Sequence, residues 1–169
     1  NVILAKNLVG KQFSKGFFPS TEAADFENFK EGDKKIPYEV LAECKGADLV
    51  GIRYEQLMKL ALPYQNPENA FRVISGDFVT TEDGTGIVHT APTFGADDAK
   101  VAKEAMPEVP PMLVLDENGN PVPLVNLQGK FIDSLGNYSG KYVKNEYYTD
   151  NDAPERSADV EIAIQLKEE

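Results

Sequence analysis

The segment from Asp83 to Lys100 holds the chain's best candidates for chemistry. It reads DGTGIVHTAPTFGADDAK and contains the only histidine of the chain, His89, and a pair of aspartates, Asp97 and Asp98. The pair opens a predicted helix, where the helix dipole favours negative charge. A carboxylate held there, near a histidine at the end of a strand, would form an oppositely charged socket for an ammonium group. The segment therefore favours a site for a small, positively charged ligand.

Three other kinds of site are not supported by the same residues. The Gly84-Thr85-Gly86 run is not a Walker loop, because no Gly-Lys-Ser/Thr follows it. It is not the dinucleotide-binding fingerprint either, because a strand rather than a helix is predicted after the glycines. A zinc site needs three or four ligands, which His89 and Cys44 do not supply. A catalytic triad with a nucleophilic serine is not supported either, because no Gly-x-Ser-x-Gly elbow accompanies the histidine. Taken singly, the residues also have structural interpretations, namely a tight turn, a strand-end histidine and a helix cap.

The elements that must position this segment are mostly predicted strands. Apolar-rich runs predict strands over 34–46, 47–55 and 70–92, and an Asn-Gly turn predicts a hairpin over 112–122. Helices or helical turns are predicted over 2–15, 20–32, 97–106 and 158–169. Regular βαβ alternation is lacking. The predicted fold class is therefore mainly β with peripheral helices, in a β-barrel-like arrangement.

Composition limits the class of protein. The 169 residues are 41% apolar and 27% charged, which predicts one globular domain over 1–169. No run of apolar residues is long enough for a membrane span, and no basic leader opens the chain. Cys44 is interpreted as a half-buried strand residue, and a single cysteine cannot form an internal disulfide, which favours an intracellular compartment. A net charge of −11 argues against a broad nucleic-acid-binding face, although not against a pocket for one nucleotide end.

The longer sequence GDFVTTEDGTGIVHTAPTFGADDAKVAKE resembles the signature of the editing domain inserted in isoleucyl-tRNA synthetases, which are class I enzymes. The flanking runs FRVISGDFVT, PPMLVLDENGNPV, LQGKFI and YVKNEYY agree with it, so the resemblance extends over nearly the whole chain. The valyl and leucyl enzymes carry looser versions. The resemblance implies that 1–169 is the C-terminal portion of that β-barrel-like domain, in a fragment from which the aminoacylation domain is absent.

The resemblance also implies roles for individual residues. Asp98 matches the aspartate that binds the α-ammonium group of the mischarged amino acid, and His89 matches the histidine that lines the side-chain pocket. Asp97 is then the structural partner of the pair, and no metal is implied. Walls and backbone contacts around the substrate are expected from Thr85, Gly86, Thr90, Ala91, Pro92, Thr93, Phe94 and Gly95.

The implied activity is the hydrolysis of valyl-tRNA(Ile), with valyl-adenylate as an additional substrate. The implied partners are the 3′ end of tRNA(Ile) carrying valine and the rest of the synthetase in cis, in the cytoplasm and away from membranes. The resemblance implies no cofactor for this domain, and ATP and Mg for the synthetic site of the parent enzyme.

One departure from the family pattern bears on activity. The chain has no threonine-rich Thr-Thr-x-Pro-Trp-Thr type segment and neither of the synthetic-site signatures. We therefore expect the isolated chain to be weak or inactive as a hydrolase. Two alternatives stay open: a non-catalytic binding or structural module that shares the barrel, and the editing domain of a valyl or leucyl enzyme. The valyl enzyme removes threonine, so its pocket should offer a hydrogen-bond partner to a hydroxyl group.

Overall fold

The computed structural model of the chain describes residues 1–149 and 152–168. The chain divides into two compact units. The first contains Asn1–Val50 and Ser75–His89, and the second contains Gly51–Ile74 and Thr90–Glu169. The boundary between His89 and Thr90 assigns one part of the candidate segment to each unit.

The first unit is built from short elements near the N-terminus. The regular elements of this unit are α1 (Val9–Gln12), β1 (Phe17–Pro19), α2 (Ala23–Glu27) and β2 (Ile36–Tyr38). A 3-10 helix at Lys6–Leu8 continues into α1, and a further 3-10 helix lies at Gly46–Leu49. Strands β1 and β2 pair in parallel, with α2 between them in the sequence.

Aromatic packing joins α1 to the small parallel sheet. The ring of Phe13 stacks on that of Tyr38 with centroids 4.9 Å apart, and it meets Phe17 edge-on at 5.0 Å. Such pairs add roughly 0.5–1.5 kcal/mol beyond the area they bury. Leu8, at the end of the 3-10 helix, and Pro37, in β2, are the buried apolar residues of this unit among the described residues.

The second unit contains the two longest helices. The elements are α3 (Ala96–Glu104), β3 (Leu113–Leu115), β4 (Pro121–Pro123) and α4 (Ala158–Glu168), with 3-10 helices at Pro67–Asn69, Gly136–Tyr138 and Asn145–Tyr147. Strands β3 and β4 form an antiparallel hairpin in which Leu113 lies opposite Pro123.

Local hydrogen bonds explain why the hairpin turns where it does. The Asp116 carboxylate accepts hydrogen bonds from the N–H groups of Asn118 and Asn120, at 2.9 and 2.8 Å. Gly119 takes a φ of 77°, a conformation that costs glycine little. These contacts lower the pKa of the Asp116 carboxyl, chiefly through the backbone N–H group of Asn120. The Asn-Gly hairpin predicted over 112–122 is confirmed.

Side-chain contacts fix α4 within the second unit. Tyr138 is buried, and its hydroxyl donates to Gln165 Oε1 at 2.8 Å. Lys141 Nζ lies 2.7 Å from Glu161 Oε2, and both side chains are about two-thirds buried. The other buried apolar residues described in this unit are Pro63, Ala70, Ala102, Leu135 and Ala158.

The prediction of a mainly β, barrel-like fold is wrong. Among residues 1–149 and 152–168, the strands are three residues each and form two separate two-stranded sheets, not a closed barrel. The strands expected over 47–55 and 70–92 are reduced to one isolated bridge between Arg53 and Arg72. An apolar run becomes a strand only where a neighbour satisfies its backbone groups, and the run itself does not specify that neighbour.

The predicted helices agree better with the structure. The helix expected over 97–106 is α3, and the one expected over 158–169 is α4, although Glu169 lies outside the described residues. Cys44 is a free, exposed thiol outside any strand, so its interpretation as a half-buried strand residue is wrong. Within the described part of the chain, no helix is both long enough and apolar enough to cross a membrane.

Candidate functional site

The first half of the candidate segment is a tight loop at Asp83–Gly86, here called the glycine loop. Gly84 and Gly86 take φ values of 65° and 77°, which side chains other than glycine rarely adopt. A Cβ on Gly86 would lie only 2.5 Å from the Cβ of Ala5. Glycine is therefore required at position 86 for two reasons: the positive φ, and the close approach of the N-terminal segment.

Two hydrogen bonds attach the glycine loop to the N-terminal segment, residues 5–12. The N–H group of Ala5 donates to the carbonyl of Thr85 at 2.7 Å. The side-chain amide of Gln12 donates to the carbonyl of Gly84 at 2.6 Å, across 72 positions of the sequence. Two successive carbonyls of the loop are thus held by the same segment.

An ion pair adds a third attachment. Lys11 Nζ lies 2.6 Å from Asp83 Oδ1, with both side chains exposed. The hydrogen bond from Lys11 lowers the pKa of the Asp83 carboxyl, and the N–H group of Gly84 adds to this effect. Because the folded pKa is lowered, the stabilisation from this contact is complete above the ordinary pKa of an aspartate. It is lost as the pH falls through the lowered value.

His89 follows the loop without regular structure around it. The strand predicted to precede it is absent, and Ile87 and Val88 are about half exposed. The histidine is exposed and has no hydrogen bond or ion pair within the described part of the chain. Its imidazole is therefore accessible to a ligand.

The second half of the segment begins with a turn at Ala91–Gly95, here called the Ala91 turn. The N–H groups of Phe94 and Gly95 both donate to the carbonyl of Ala91, at 3.1 and 3.3 Å. The N–H group of Ala91 donates to Asp98 Oδ2 at 2.8 Å. Both backbone polar groups of Ala91 are therefore used, and the turn is tied to the first turn of α3.

Gly95 makes room for the Asp98 carboxylate. A Cβ at position 95 would lie 2.8 Å from Asp98 Oδ2 and 2.9 Å from its Cγ. Its φ of −109° is ordinary, so the requirement for glycine comes from this close approach and not from the backbone conformation. Any side chain at this position must displace the carboxylate.

The two aspartates of the pair differ in their contacts. Asp98 is half-buried, and one of its oxygens is held by Ala91, while Oδ1 has no hydrogen-bond partner among the described residues. The side chain of Asp97 is exposed and has no hydrogen bond within the described part. The sequence favoured Asp97 for the structural role, whereas the observed hydrogen bond belongs to Asp98. Both lie in the first turn of α3, whose dipole favours negative charge.

The other predicted wall residues belong to the Ala91 turn or adjoin it. Thr93 Oγ1 accepts a hydrogen bond from the N–H group of Met112 at 2.8 Å, which holds the turn against the chain before β3. Thr90 and Pro92 are half-buried, whereas Phe94 is 66% exposed. The exposed ring gives this half of the segment an apolar surface.

Relatives of the chain were found by sequence, although no family model matches it. It is 51% identical to an isoleucine–tRNA ligase of Cytophaga hutchinsonii over 178 aligned positions, which cover 99% of the chain. It is 45% identical to the Bacteroides fragilis ligase and 42% identical to the Porphyromonas gingivalis ligase, each over 98% of the chain.

The chain belongs to the isoleucine–tRNA ligase family. It spans about 15% of the length of these curated relatives. The resemblance seen in GDFVTTEDGTGIVHTAPTFGADDAKVAKE is therefore confirmed at the level of the family. The roles of individual residues in this isoleucine–tRNA ligase segment stay predictions.

Cavities and metal-binding groups do not coincide with the predicted site. Cavities of about 340 and 630 Å³ lie elsewhere in the second unit, the first beside Tyr64 and Leu113 and the second beside Leu57 and Leu60. Neither is lined by a predicted site residue. Residues 1–149 and 152–168 contain no group of three or more His, Cys, Asp and Glu side chains able to hold a metal ion.

Sequence reasoning missed the residues that hold the glycine loop. Lys11 and Gln12 lie in a short helix that carries no motif, and their contacts are 72 positions away. Periodicity and local spacing contain no signal for such a distant pairing. By contrast, the importance of Gly95 was visible in the motif, although its reason, room for a carboxylate, required the structure.

Proposed function

We propose that the chain forms part of the editing site of a longer isoleucine–tRNA ligase and serves to hydrolyse valyl-tRNA(Ile). The observation that carries the proposal is the arrangement of Asp98 in a member of this family. One carboxylate oxygen is fixed by Ala91, and the other has no partner in the described chain. A fixed, negatively charged oxygen at a half-buried position suits the α-ammonium group of an amino acid.

The need for such a site follows from the small difference between isoleucine and valine. One methylene in a hydrophobic pocket is worth only about 1–3 kcal/mol, a general figure for which this pair of amino acids in this enzyme family is the standard example. A second pocket that admits valine and excludes isoleucine by size corrects the resulting errors. We assign the size limit to His89, whose exposed imidazole would contact the end of the amino acid side chain.

The proposed reaction is an ester hydrolysis. A water oxygen attacks the carbonyl carbon that links valine to a ribose hydroxyl of the tRNA, and the bond between that carbon and the ribose oxygen breaks. One proton of the water ends on the ribose oxygen, and the products are valine and uncharged tRNA(Ile). Asp98 orients the substrate through its ammonium group, and the backbone of the glycine loop and of the Ala91 turn contacts the remainder. Valyl-adenylate is the second substrate of the proposal.

The partners in this proposal are the 3′ end of tRNA(Ile) carrying valine and the rest of the ligase in cis. The net charge of −11 means that this segment does not recruit tRNA by itself, so other parts of the ligase hold the nucleic acid. ATP and Mg belong to the synthetic reaction of the whole ligase, and the hydrolysis needs neither. The cytoplasm, where aminoacylation takes place, is the proposed location.

The decisive experiment compares Asp98→Asn with Asp97→Asn in the full-length ligase. The side-chain amide of Asp98→Asn retains an oxygen that accepts from Ala91 but has no charge for the ammonium group. Since a hydrogen bond to a charged group contributes about 1.5–3 kcal/mol, the rate of valyl-tRNA(Ile) deacylation should fall roughly 10- to 100-fold. Asp97→Asn should retain the rate, and both variants should activate isoleucine normally. Equal deacylation by the two variants would overturn the assignment.

A second variant tests the size limit. His89→Ala should allow hydrolysis of correctly charged isoleucyl-tRNA(Ile), because space for the additional methylene appears. Its rate on valyl-tRNA(Ile) should fall much less than the roughly 100-fold or greater loss expected on removing a general base. If His89→Ala abolishes deacylation of valyl-tRNA and gains no activity on isoleucyl-tRNA, the imidazole acts as a base and not as a wall.

A further inference from the structure

The glycine loop is held in a way that determines where its N–H groups point. The carbonyl of Gly84 is bound by Gln12, and the carbonyl of Thr85 is bound by Ala5. In a planar trans peptide the carbonyl and the following N–H point in opposite directions. The N–H groups of Thr85 and Gly86 are therefore directed away from the N-terminal segment, and neither has an acceptor within the described chain.

Lys11 completes this arrangement at the start of the loop. Its ammonium group holds the Asp83 carboxylate, with Lys11 Nζ 2.6 Å from Asp83 Oδ1. The side chain of Asp83 is thus held by Lys11, and the carbonyl of the next residue, Gly84, is held by Gln12. The two N–H groups that follow are the ones available to a ligand.

We propose that Lys11 and Gln12 are positioning residues of the editing site, which orient the N–H groups of Thr85 and Gly86 toward an oxygen of the substrate. This inference rests on the proposed function, because it takes the glycine loop as a wall of that site. Neither side chain touches the substrate, and both act through the loop backbone. The chemistry recognised is a hydrogen-bond acceptor, such as an ester carbonyl or a ribose hydroxyl oxygen.

The exposure of these contacts separates a positioning role from a structural one. The Lys11–Asp83 pair is 58% and 86% exposed, and exposed ion pairs add little to the free energy of unfolding. Its loss should leave the fold intact. A displacement of about 1 Å in a substrate-contacting group can nevertheless reduce a rate roughly 100-fold. Lys11 and Gln12 are therefore expected to affect activity far more than stability.

The test uses Gln12→Leu and Lys11→Met in the full-length ligase. Lys6→Met is the matched control, since Lys6 lies in the same segment and forms a similarly exposed pair with Glu43 at 2.7 Å, outside the glycine loop. Two quantities are measured: kcat and KM for valyl-tRNA(Ile) deacylation, and hydrogen exchange at the N–H group of Ala5. That group is protected only while it donates to Thr85.

We expect both variants to lower kcat/KM by about 10- to 100-fold and to accelerate exchange at Ala5, with Tm unchanged. Lys6→Met should change neither kcat/KM nor the exchange rate at Ala5. Lys11→Arg should keep both quantities near their unsubstituted values, because arginine retains the cation that Lys11→Met removes. If deacylation or exchange at Ala5 is unchanged in Gln12→Leu while Asp98→Asn is impaired, the positioning role is wrong. If Asp98→Asn itself deacylates normally, the proposed function is wrong, and the inference falls with it.

Discussion

The glycine loop and the Ala91 turn lie close together in the sequence but are held by opposite means. The turn is organised mainly by contacts within seven positions, from Ala91 to Asp98, with one further hydrogen bond from Met112, 19 positions beyond Thr93. The glycine loop is organised by contacts from α1 across 72 positions. Loop-closure entropy makes the distant contacts depend on the rest of the first unit, whereas the turn forms with its own helix. The Ala91 turn therefore depends less on distant parts of the chain than the glycine loop does.

This difference has a consequence for function. The proposed ammonium-binding carboxylate belongs to the locally determined half, where a helix terminus stabilises it. The proposed N–H donors belong to the half that depends on a remote segment. Changes in the N-terminal segment should consequently affect substrate orientation, and changes near α3 should affect charge recognition.

The largest effect on deacylation is expected when the Ala91 turn is disrupted by Gly95→Ala. The added methyl group would occupy the place of the Asp98 carboxylate, 2.8 Å from Oδ2, and displace it from Ala91. Deacylation of valyl-tRNA(Ile) by the full-length ligase should fall about 100-fold. The matched control is Gly46→Ala, where a Cβ meets nothing within 4 Å. An unchanged rate in Gly95→Ala would show that the position of this carboxylate is not required.

A smaller effect, on the free energy of unfolding, is expected when the glycine loop is disrupted by Gly86→Ala. The left-handed conformation costs an L-residue roughly 1–2 kcal/mol, and the new methyl group would also clash with Ala5. Gly84→Ala serves as the control, because it has the same kind of backbone strain with nothing within 4 Å. In urea unfolding, the free energy of unfolding of Gly86→Ala should be lower than that of Gly84→Ala. Equal values would mean that Ala5 does not pack against the loop.

The smallest effect is a difference in salt dependence between two aspartates. Lys11 lowers the pKa of Asp83 through an exposed ion pair, whereas backbone N–H groups lower that of Asp116. At 1 M salt the screening length falls to about 3 Å. Carboxyl NMR titration should show the Asp83 pKa rising toward its ordinary value with salt and in Lys11→Met. The Asp116 pKa should change less in both cases, and equal changes would contradict the assigned causes.

Much of the local structure was predictable because its causes are local. The Asn-Gly pair predicted the hairpin between β3 and β4, and the paired aspartates predicted the start of α3. The strands over 47–55 and 70–92 were predicted from apolar runs and are absent, apart from one bridge. Strand formation depends on a partner that composition does not identify, so the barrel-like fold was the part of the prediction that failed.

The candidate site shows the same division. The sequence by itself determined the family, the residues of the motif and the helix that carries Asp98, because each depends on residue identity and short spacing. Only the tertiary structure decided that Asp98, and not Asp97, holds the Ala91 turn, and that Lys11 and Gln12 hold the glycine loop. Those outcomes depend on which atoms approach within hydrogen-bond distance after the chain has folded. Sequence separation contains no information about that approach.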